Sequence, residues 1–305
     1  MDATELSSDS QSQKSFLGSA LRQNRLALFV GAGLSNSIGL PSWPLLTERV
    51  CLECGVDALD IRRALDSKDY YSIVRDARRR VPRLAEFKKI VRKHLYSDAP
   101  GSVFEYWRSP LFVALGSLIA GGPRGRVQEI VNLNFDDTFE QFLWFHGFPS
   151  QSITAPEKQL QGGASAHIFH PHGFLPASRG GLPQKESDFL LFTREEADDR
   201  IANSDAWKET LKTILRSKVC LFIGLSEDTA KDYVLTTLFN PVFQEIGSRK
   251  AIGFWFFKRP VRDKADEFLA GYRIYAIEVD DYDEIPLILL EICSMAALRL
   301  SRSPP

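Results

Sequence analysis

Four short polar segments, each following an apolar run, contain the residues of this chain that are best suited to chemistry. The first is GAGLS at residues 31–35, which follows the apolar run Leu26–Val30. The others are NFDD at 134–137, HG at 172–173 and GLSED at 224–228. A strand that turns on glycines into a helix presents backbone N–H groups and a helix N-terminus to an anion. The first segment therefore predicts a phosphate cradle, and with it a dinucleotide site.

The four segments are expected to converge on one site. Each follows a predicted strand, and in an open α/β sheet the ligand lies off the carboxyl ends of the strands, where the strand order reverses. Four such segments in one chain support a site better than a single glycine pair does.

The glycine turn differs from the usual dinucleotide fingerprint. Gly31 and Gly33 fit that pattern, but Asn36 stands where a third glycine is expected. The ribose-binding acid is also missing, because Glu48 and Glu53 fall on a predicted helix instead of following a second strand. A hydride-transfer site of the common kind is therefore not favoured.

Strands and helices alternate along much of the chain, which predicts an α/β fold: a Rossmann-like parallel sheet with helices on both faces and an inserted helical subdomain. Apolar runs predict strands at 26–30, 127–135, 168–172, 219–223, 251–257 and 272–279. Helical periodicity predicts helices at 14–24, 43–54, 138–145, 194–215, 231–246, 261–269 and 282–300.

The predicted domain organisation follows from changes in composition. Residues 1–13 are polar and predict a flexible tail, residues 14–55 and 123–300 the Rossmann-like core, and residues 56–122 a helical insertion. Within the insertion, residues 75–95 contain nine lysines and arginines against two acidic residues. Aromatic residues are nearly absent there, so solvated helix faces or a partner surface are favoured over nucleic-acid binding. The glycine- and proline-rich stretch 175–188 is a candidate mobile lid.

Bulk composition indicates a cytoplasmic enzyme. The 305 residues are 44% hydrophobic and 25% charged, and 38 basic residues nearly balance 39 acidic ones. This balance gives no general attraction to nucleic acid or to an anionic membrane. No apolar run predicts a membrane span, and the polar N-terminus does not resemble a signal peptide. Four cysteines in so long a chain indicate a reducing compartment without a disulfide framework.

The motifs GAGLSNSIGLPSW, NLNFDD, HPHG and GLSED, in this order, resemble those of the sirtuin superfamily. The resemblance is closest to bacterial sirtuin-like effectors of antiphage defence, which consume NAD. It covers roughly residues 15–55 and 125–280 and leaves the helical insertion out.

The resemblance implies a role for each matching residue. The glycine turn would bind the pyrophosphate of NAD, the N-x-D motif would flank the nicotinamide ribose and carboxamide, and the histidine before glycine would be catalytic. The fourth motif, with Gly224 and Ser226, would lie near the adenosine ribose and phosphates. The implied catalytic residues are Asn134, Asp136 and His172, and the implied NAD-binding residues are Gly31, Ala32, Gly33, Ser35, Trp43, Gly224, Ser226 and Asp228, with Asp232 as an alternative to Asp228.

One departure from the family bears on the reaction. Sirtuin deacylases carry two Cys-x-x-Cys pairs after the catalytic histidine, and these pairs bind zinc. This chain has no cysteine between Cys54 and Cys220, and structural zinc needs four ligands. We therefore expect no metal, and simple cleavage of NAD is favoured over protein deacylation.

The sequence thus predicts an NAD glycohydrolase with NAD as substrate. Breaking the nicotinamide–ribose bond needs a positioned water and a base, for which Asn134 and His172 are suited. Such an activity would have to be silent until triggered, which predicts a homo-oligomer or a separately encoded sensor or activator.

Two other interpretations stay open. The pocket would be a non-catalytic sensor of NAD or ADP-ribose, or the same first step would serve an ADP-ribosyltransferase or deacylase. In the sensor, Asn134 and His172 would do no chemistry. A separate structural alternative is that Asn134 and Asp136 only cap the helix that follows them.

Overall fold

Nine short runs of residues form strands in the computed structural model of this chain. The structure describes residues 9–100, 103–156, 160–177, 189–190, 205–226, 229, 233–246, 251–259 and 269–298. The strands are β1 (Leu26–Val30), β2 (Glu129–Asn132), β3 (Ser150–Ile153), β4 (Ala166–Phe169), β5 (Gly173–Phe174), β6 (Phe189–Leu190), β7 (Val219–Ile223), β8 (Gly253–Lys258) and β9 (Ile274–Val279).

Seven of these strands form one parallel sheet in the order β3-β4-β2-β1-β7-β8-β9. Strand β1 lies at the centre of the sheet. Outward from it lie β2, β4 and β3 on one side, and β7, β8 and β9 on the other side. This doubly wound order confirms the predicted Rossmann-like α/β fold. It also places the switch point between β1 and β7. The remaining strands, β5 and β6, pair with each other in an antiparallel ribbon.

The described helices are eleven in number, and two further turns, Val103–Arg108 and Tyr282–Glu284, are 3₁₀ helices. The α-helices are α1 (Ser10–Arg22), α2 (Ala32–Asn36), α3 (Trp43–Glu53), α4 (Ala58–Asp66), α5 (Tyr70–Arg80), α6 (Leu84–Leu95), α7 (Pro110–Ile119), α8 (Thr138–Phe145), α9 (Asp205–Ser217), α10 (Tyr233–Ile246) and α11 (Ile285–Leu298). Within the described residues, no helix combines the length and the apolar character that a membrane span requires.

Two apolar cores cover the two faces of the sheet. In β1, Leu26 and Leu28 face one core while Ala27 and Phe29 face the other, as the alternation of a strand requires. The larger core also contains residues of α1, α3, α7 and α11, and the second contains residues of α9 and α10. Burial on both faces explains why the central strands are continuously apolar.

Helices α4, α5 and α6 of the predicted insertion share the larger core. Ile73 of α5 and Phe87 of α6 belong to the same buried cluster as Leu46 and Val50 of α3. The insertion therefore packs directly on the helix that follows the glycine turn. Its treatment as a separate subdomain stays a prediction.

The first helix begins earlier than predicted. It starts at Ser10, not at residue 14, because the Asp9 carboxylate accepts hydrogen bonds from the N–H groups of Gln11 and Ser12. Gln13 is buried and donates to the carbonyl of Ala276 at 3.0 Å. Residues 10–13 of the predicted tail thus form the first turn of α1, and residues 1–8 lie outside the described part of the chain.

The second strand ends sooner than predicted. It stops at Asn132, not at residue 135, because the Asn132 side chain accepts a hydrogen bond from the N–H of Asn134 at 3.0 Å. Such local bonds compete with the ladder and turn the chain out of the sheet. The turn frees residues 133–137 to form a loop at the carboxyl edge.

Several other predictions meet the structure only in part. The polar edge strand β3 was not predicted, because its SQSI sequence lacks an apolar run. Leu175 and Ala177 of the candidate lid are buried, and residues 178–188 lie outside the described residues. So do residues 194–204 and 261–268 of two predicted helices.

A close approach of two backbones holds the switch point together. The N–H of Gly33 donates to the carbonyl of Gly224 at 2.9 Å, and a Cβ on Gly33 would lie 2.6 Å from the Cα of Gly224. Gly224 has a φ of +68°, and a Cβ there would lie 2.8 Å from the backbone nitrogen of Leu34. Only glycine fits both positions without moving backbone.

We therefore expect Gly33→Ala and Gly224→Ala each to lower the free energy of unfolding by about 1–3 kcal/mol, because the added methyl group meets backbone that cannot yield. Urea unfolding monitored by circular dichroism measures the change. Gly162→Ala is the control, because a Cβ there meets nothing within 4 Å. Equal midpoints for Gly33→Ala and the control would contradict the proposed constraint.

Candidate functional site

The Ser35 hydroxyl joins two of the predicted catalytic residues. It donates to Oδ2 of Asp136 at 2.7 Å and accepts from Nδ2 of Asn134 at 3.2 Å. All three side chains are buried or nearly so. Ser35 comes from α2 after β1, whereas Asn134 and Asp136 follow β2, and β1 and β2 are neighbours in the sheet. The sheet register therefore brings together residues that are about a hundred positions apart.

The orientation of the Asn134 amide is fixed by its partners. Its Nδ2 donates to the carbonyl of Gly31 at 2.9 Å as well as to Ser35. A carbonyl can only accept, so the nitrogen must face Gly31. Within the described part of the chain, Oδ1 of Asn134 has no hydrogen-bond donor. That atom is the acceptor that the network leaves available to a ligand or a water.

Asp136 is held entirely by the protein. It is 2% exposed, and besides the Ser35 bond its Oδ1 accepts from the backbone N–H and the hydroxyl of Thr138. Burial raises the pKa of Asp136, while the hydrogen bonds from Ser35 and Thr138 oppose that rise. Asp136 is thus linked to Asn134 through the Ser35 hydroxyl, and it caps α8 by its bond to the Thr138 N–H.

The glycine turn uses most of its own N–H groups within the sheet. Gly31 donates to Ile223 at 3.0 Å, Gly33 to Gly224, and Leu34 to the carbonyl of Gly31 at 2.9 Å. Among the described residues, no acceptor bonds the N–H of Ala32. A phosphate at this turn would therefore meet the Ala32 N–H, not a full ring of donors.

The remaining predicted NAD-binding residues differ in their surroundings, and the structure does not describe all of them. The Trp43 ring packs edge-on against Phe135, with ring centres 5.8 Å apart, so Trp43 adjoins the loop that carries Asn134. Ser226 is exposed and its Oγ lies 2.9 Å from the hydroxyl of Thr229. Asp228 and the alternative acid, Asp232, lie outside the described residues.

His172 is partly buried and directly precedes β5. The segment after it is tied to the loop of Asn134, because the N–H of Leu175 donates to the carbonyl of Phe135 at 2.7 Å. The chain therefore returns from His172 to the same edge of the sheet as Asn134.

Asp137 is a site residue whose contacts sequence reasoning missed. Asp137 precedes α8, but its carboxylate does not cap that helix. Its Oδ1 instead accepts from the Tyr96 hydroxyl at 2.8 Å, from Nε2 of Gln141 at 2.8 Å and from the N–H of Ala177 at 3.0 Å. Burial raises the pKa of Asp137 to about 6 in spite of these bonds. No sequence signal links Tyr96 with Asp137, because the pairing is formed only by the fold.

A buried ion pair lies beneath the same loop. Nε2 of His170 is 2.5 Å from Oε1 of Glu140, and its Nδ1 is 3.4 Å from the carbonyl of Asn134. Both ring nitrogens face acceptors, which favours the protonated ring. Burial opposes that charge, but the Glu140 carboxylate and the Asn134 carbonyl outweigh it, so the pKa of His170 is raised. Nothing in the sequence indicated that His170 would pair with Glu140.

The described residues contain no group of three or more His, Cys, Asp or Glu side chains arranged to hold a metal ion. Cys51 and Cys54 are buried at α3 and its end, and burial raises the pKa of the Cys51 thiol to about 12. Both therefore behave as thiols of the apolar core.

The raised pKa of Asp137 predicts a dependence of stability on pH. The folded protein keeps this proton up to about pH 6, whereas the unfolded chain releases it near 3.8. The free energy of unfolding should therefore fall by about 2 kcal/mol on this account as pH rises from 4 to 7. Asp137→Asn removes the titration, so wild type minus variant should show this slope in urea unfolding at each pH. Parallel curves for the two proteins would contradict the assignment.

Comparison with known proteins shows what this chain is similar to. Residues 128–277 match the family described as the SIR2-like domain. A solved structure reported as "Structural Basis for the Mechanism and Regulation of Sir2 Enzymes" is similar to this chain, with 11% identity, 95% of this chain and 98% of that chain covered, and a TM-score of 0.44. No curated protein sequence matches this chain. Residues 128–277, which include Asn134, Asp136 and His172, are thus similar to a SIR2-like domain.

Proposed function

We propose that this protein is an NAD glycohydrolase, which cleaves NAD into nicotinamide and ADP-ribose. The observation that carries the proposal is the hydrogen bonding of the Asn134 amide. Its amide nitrogen is fixed by Gly31 and Ser35, and its Oδ1 is left as an acceptor at the switch point of the sheet. The SIR2-like match supports NAD as the substrate in general terms.

The proposed reaction needs a water molecule and a base. The bond between C1′ of the ribose and the nicotinamide nitrogen breaks, and its electron pair neutralises the ring. The water oxygen bonds to C1′ and releases a proton. Asn134 would accept a hydrogen bond from that water through Oδ1, and His172 would take up the proton.

Asp136 would act without contacting the reacting atoms. Its oxygens are engaged by Ser35 and Thr138, so direct contact with the ribose would cost an existing hydrogen bond. Its contribution is then the orientation of Ser35 and Asn134, together with the field of a negative charge near a developing oxocarbenium ion.

Binding of NAD would involve both sides of the switch point. We infer that the Ala32 N–H donates to the pyrophosphate, that Gly31 and Gly33 allow its close approach because they carry no side chain, and that Trp43 lies beside the nicotinamide end. Gly224, Ser226 and an acid at 228 or 232 would serve the adenosine side. The close packing of Gly33 on Gly224 supports one continuous binding surface.

Hydrolysis is favoured over deacylation by the cysteines of the sequence. The four are Cys51, Cys54, Cys220 and Cys293, and none lies between His172 and Cys220. The zinc ribbon of the deacylases follows the catalytic histidine, so its cysteines would have to lie in that stretch. We therefore propose small-molecule cleavage without a metal.

A role in antiphage defence completes the proposal. Unregulated hydrolysis of NAD in the cytoplasm would kill the host cell, so the activity would need a trigger. Assembly of several copies or binding of a separately encoded sensor protein would supply it.

Incubation with NAD tests the proposal. The purified protein, alone and with the product of the neighbouring gene, is expected to release equal amounts of nicotinamide and ADP-ribose, measured by chromatography. Asn134→Ala and His172→Ala should each lower the rate by at least about 100-fold, because positioning and general base catalysis are lost.

His167→Ala is the matched control for the histidine variant, because His167 lies on β4 and its Nε2 is 3.1 Å from the carbonyl of Gln161. It should retain the wild-type rate. Labelled protein in place of free ADP-ribose would indicate a transferase. Intact NAD together with measurable binding would indicate a sensor, and either result would contradict the proposal.

A further inference from the structure

The Asp137 carboxylate is the meeting point of three parts of the fold. Its Oδ1 receives hydrogen bonds from Tyr96 at the end of α6, from Gln141 in α8 and from the N–H of Ala177. The side chain is 2% exposed and nothing in the proposed chemistry requires it to touch NAD. A buried acceptor with three donors from three segments has the geometry of a clamp.

The end of α6 contacts the segment after His172 through consecutive residues. The Tyr96 hydroxyl lies 2.9 Å from the carbonyl of Leu175, and Nε of Arg92 donates to the carbonyl of Pro176 at 3.1 Å. The same hydroxyl accepts from the N–H of Asp137 at 3.1 Å. Since it carries one proton, it serves either Asp137 or Leu175 at a given moment.

These bonds limit where His172 can lie. Four residues at most separate His172 from Leu175, Pro176 and Ala177, all of which are bonded to α6, to Asp137 or to Phe135. A shift of about 1 Å in a catalytic group is enough to lower a rate by about 100-fold.

The charge of Asp137 makes the clamp stronger than a neutral acceptor would. Hydrogen bonds to an ionised carboxylate are about twice as strong as neutral ones. The ionisable groups that face it are Tyr96, Glu140 and, on the same loop, Asp136. Glu140 disfavours the ionised form of Asp137, so that form depends on the three donors.

We propose that Asp137 is a positioning residue and that the contacts of Tyr96, Asp137 and Ala177 form a clamp by which helix α6 sets the position of His172. This inference rests on the proposed function, because His172 is the proposed base. It makes the helical insertion part of the control of the site.

Three variants test the clamp in the full-length protein. Asp137→Ala removes the acceptor and should lower kcat for NAD cleavage about tenfold or more, with KM changed less than about threefold, because the pyrophosphate turn is untouched. Tyr96→Phe should lower kcat by a smaller factor. Asp137→Asn keeps an acceptor at Oδ1 and should restore kcat at pH 7 to within about threefold of wild type.

Hydrogen–deuterium exchange without NAD provides a readout that does not depend on activity. The amides of Leu175 and Ala177 should exchange at least about tenfold faster in Asp137→Ala and measurably faster in Tyr96→Phe. Tyr272→Phe is the control, because its hydroxyl bonds Asn240 away from the site. It should change neither kcat nor the exchange of these amides.

The two readouts separate the clamp from the proposed function. If the wild-type protein leaves NAD intact but the amides respond as expected, the clamp stands and the hydrolase proposal fails. Unchanged exchange in Tyr96→Phe and Asp137→Ala would overturn the clamp, as would a kcat within twofold of wild type in both. Equal losses in Asp137→Asn and Asp137→Ala would also overturn it. Tyr96→Phe decides the matter if Asp137→Ala does not fold.

Discussion

The close approach of Gly33 to Gly224 is the constraint on which the rest of this structure depends. It joins the first strand of the sheet to the strand on the other side of the switch point, backbone against backbone. Any side chain larger than hydrogen would separate β1 from the turn that follows β7. Because Ser35 lies two residues after Gly33, the same contact decides where its hydroxyl meets Asn134 and Asp136. The position of the polar network is thus a consequence of packing that involves no polar side chain.

Three buried carboxylates, those of Asp136, Asp137 and Glu140, lie on one side of this contact within five residues of chain. Each would be costly alone, and each is matched by donors from a different part of the fold. Ser35 comes from β1 and α2, Tyr96 from α6, and His170 from the end of β4. Removing one donor leaves a buried acceptor unsatisfied. We therefore expect the loss of any one donor to destabilise all the loops at this edge.

The fold could be predicted from the sequence to the extent that local patterns determine it. The apolar runs of β1 and β7 and the glycines between strand and helix predicted the parallel sheet, and the motifs predicted that Asn134 would lie near the glycine turn. The strand β3 and the start of α1 depend on polar residues and a single cap, which carry weak signals. The partners of Asp137 and His170 come from distant segments, and no spacing in the sequence indicates Tyr96 or Glu140.

Asp137 shows why such a network can be retained although it lowers stability. Its raised pKa means that the ionised form opposes folding at neutral pH. The same charge strengthens the bonds to Tyr96 and Ala177, which lie next to the segment that carries His172. A protonated carboxyl group at this position would oppose folding less and would hold the loop less tightly. Free energy of folding is therefore exchanged for local order at one edge of the sheet, and that exchange is expected where a side chain must be held for chemistry.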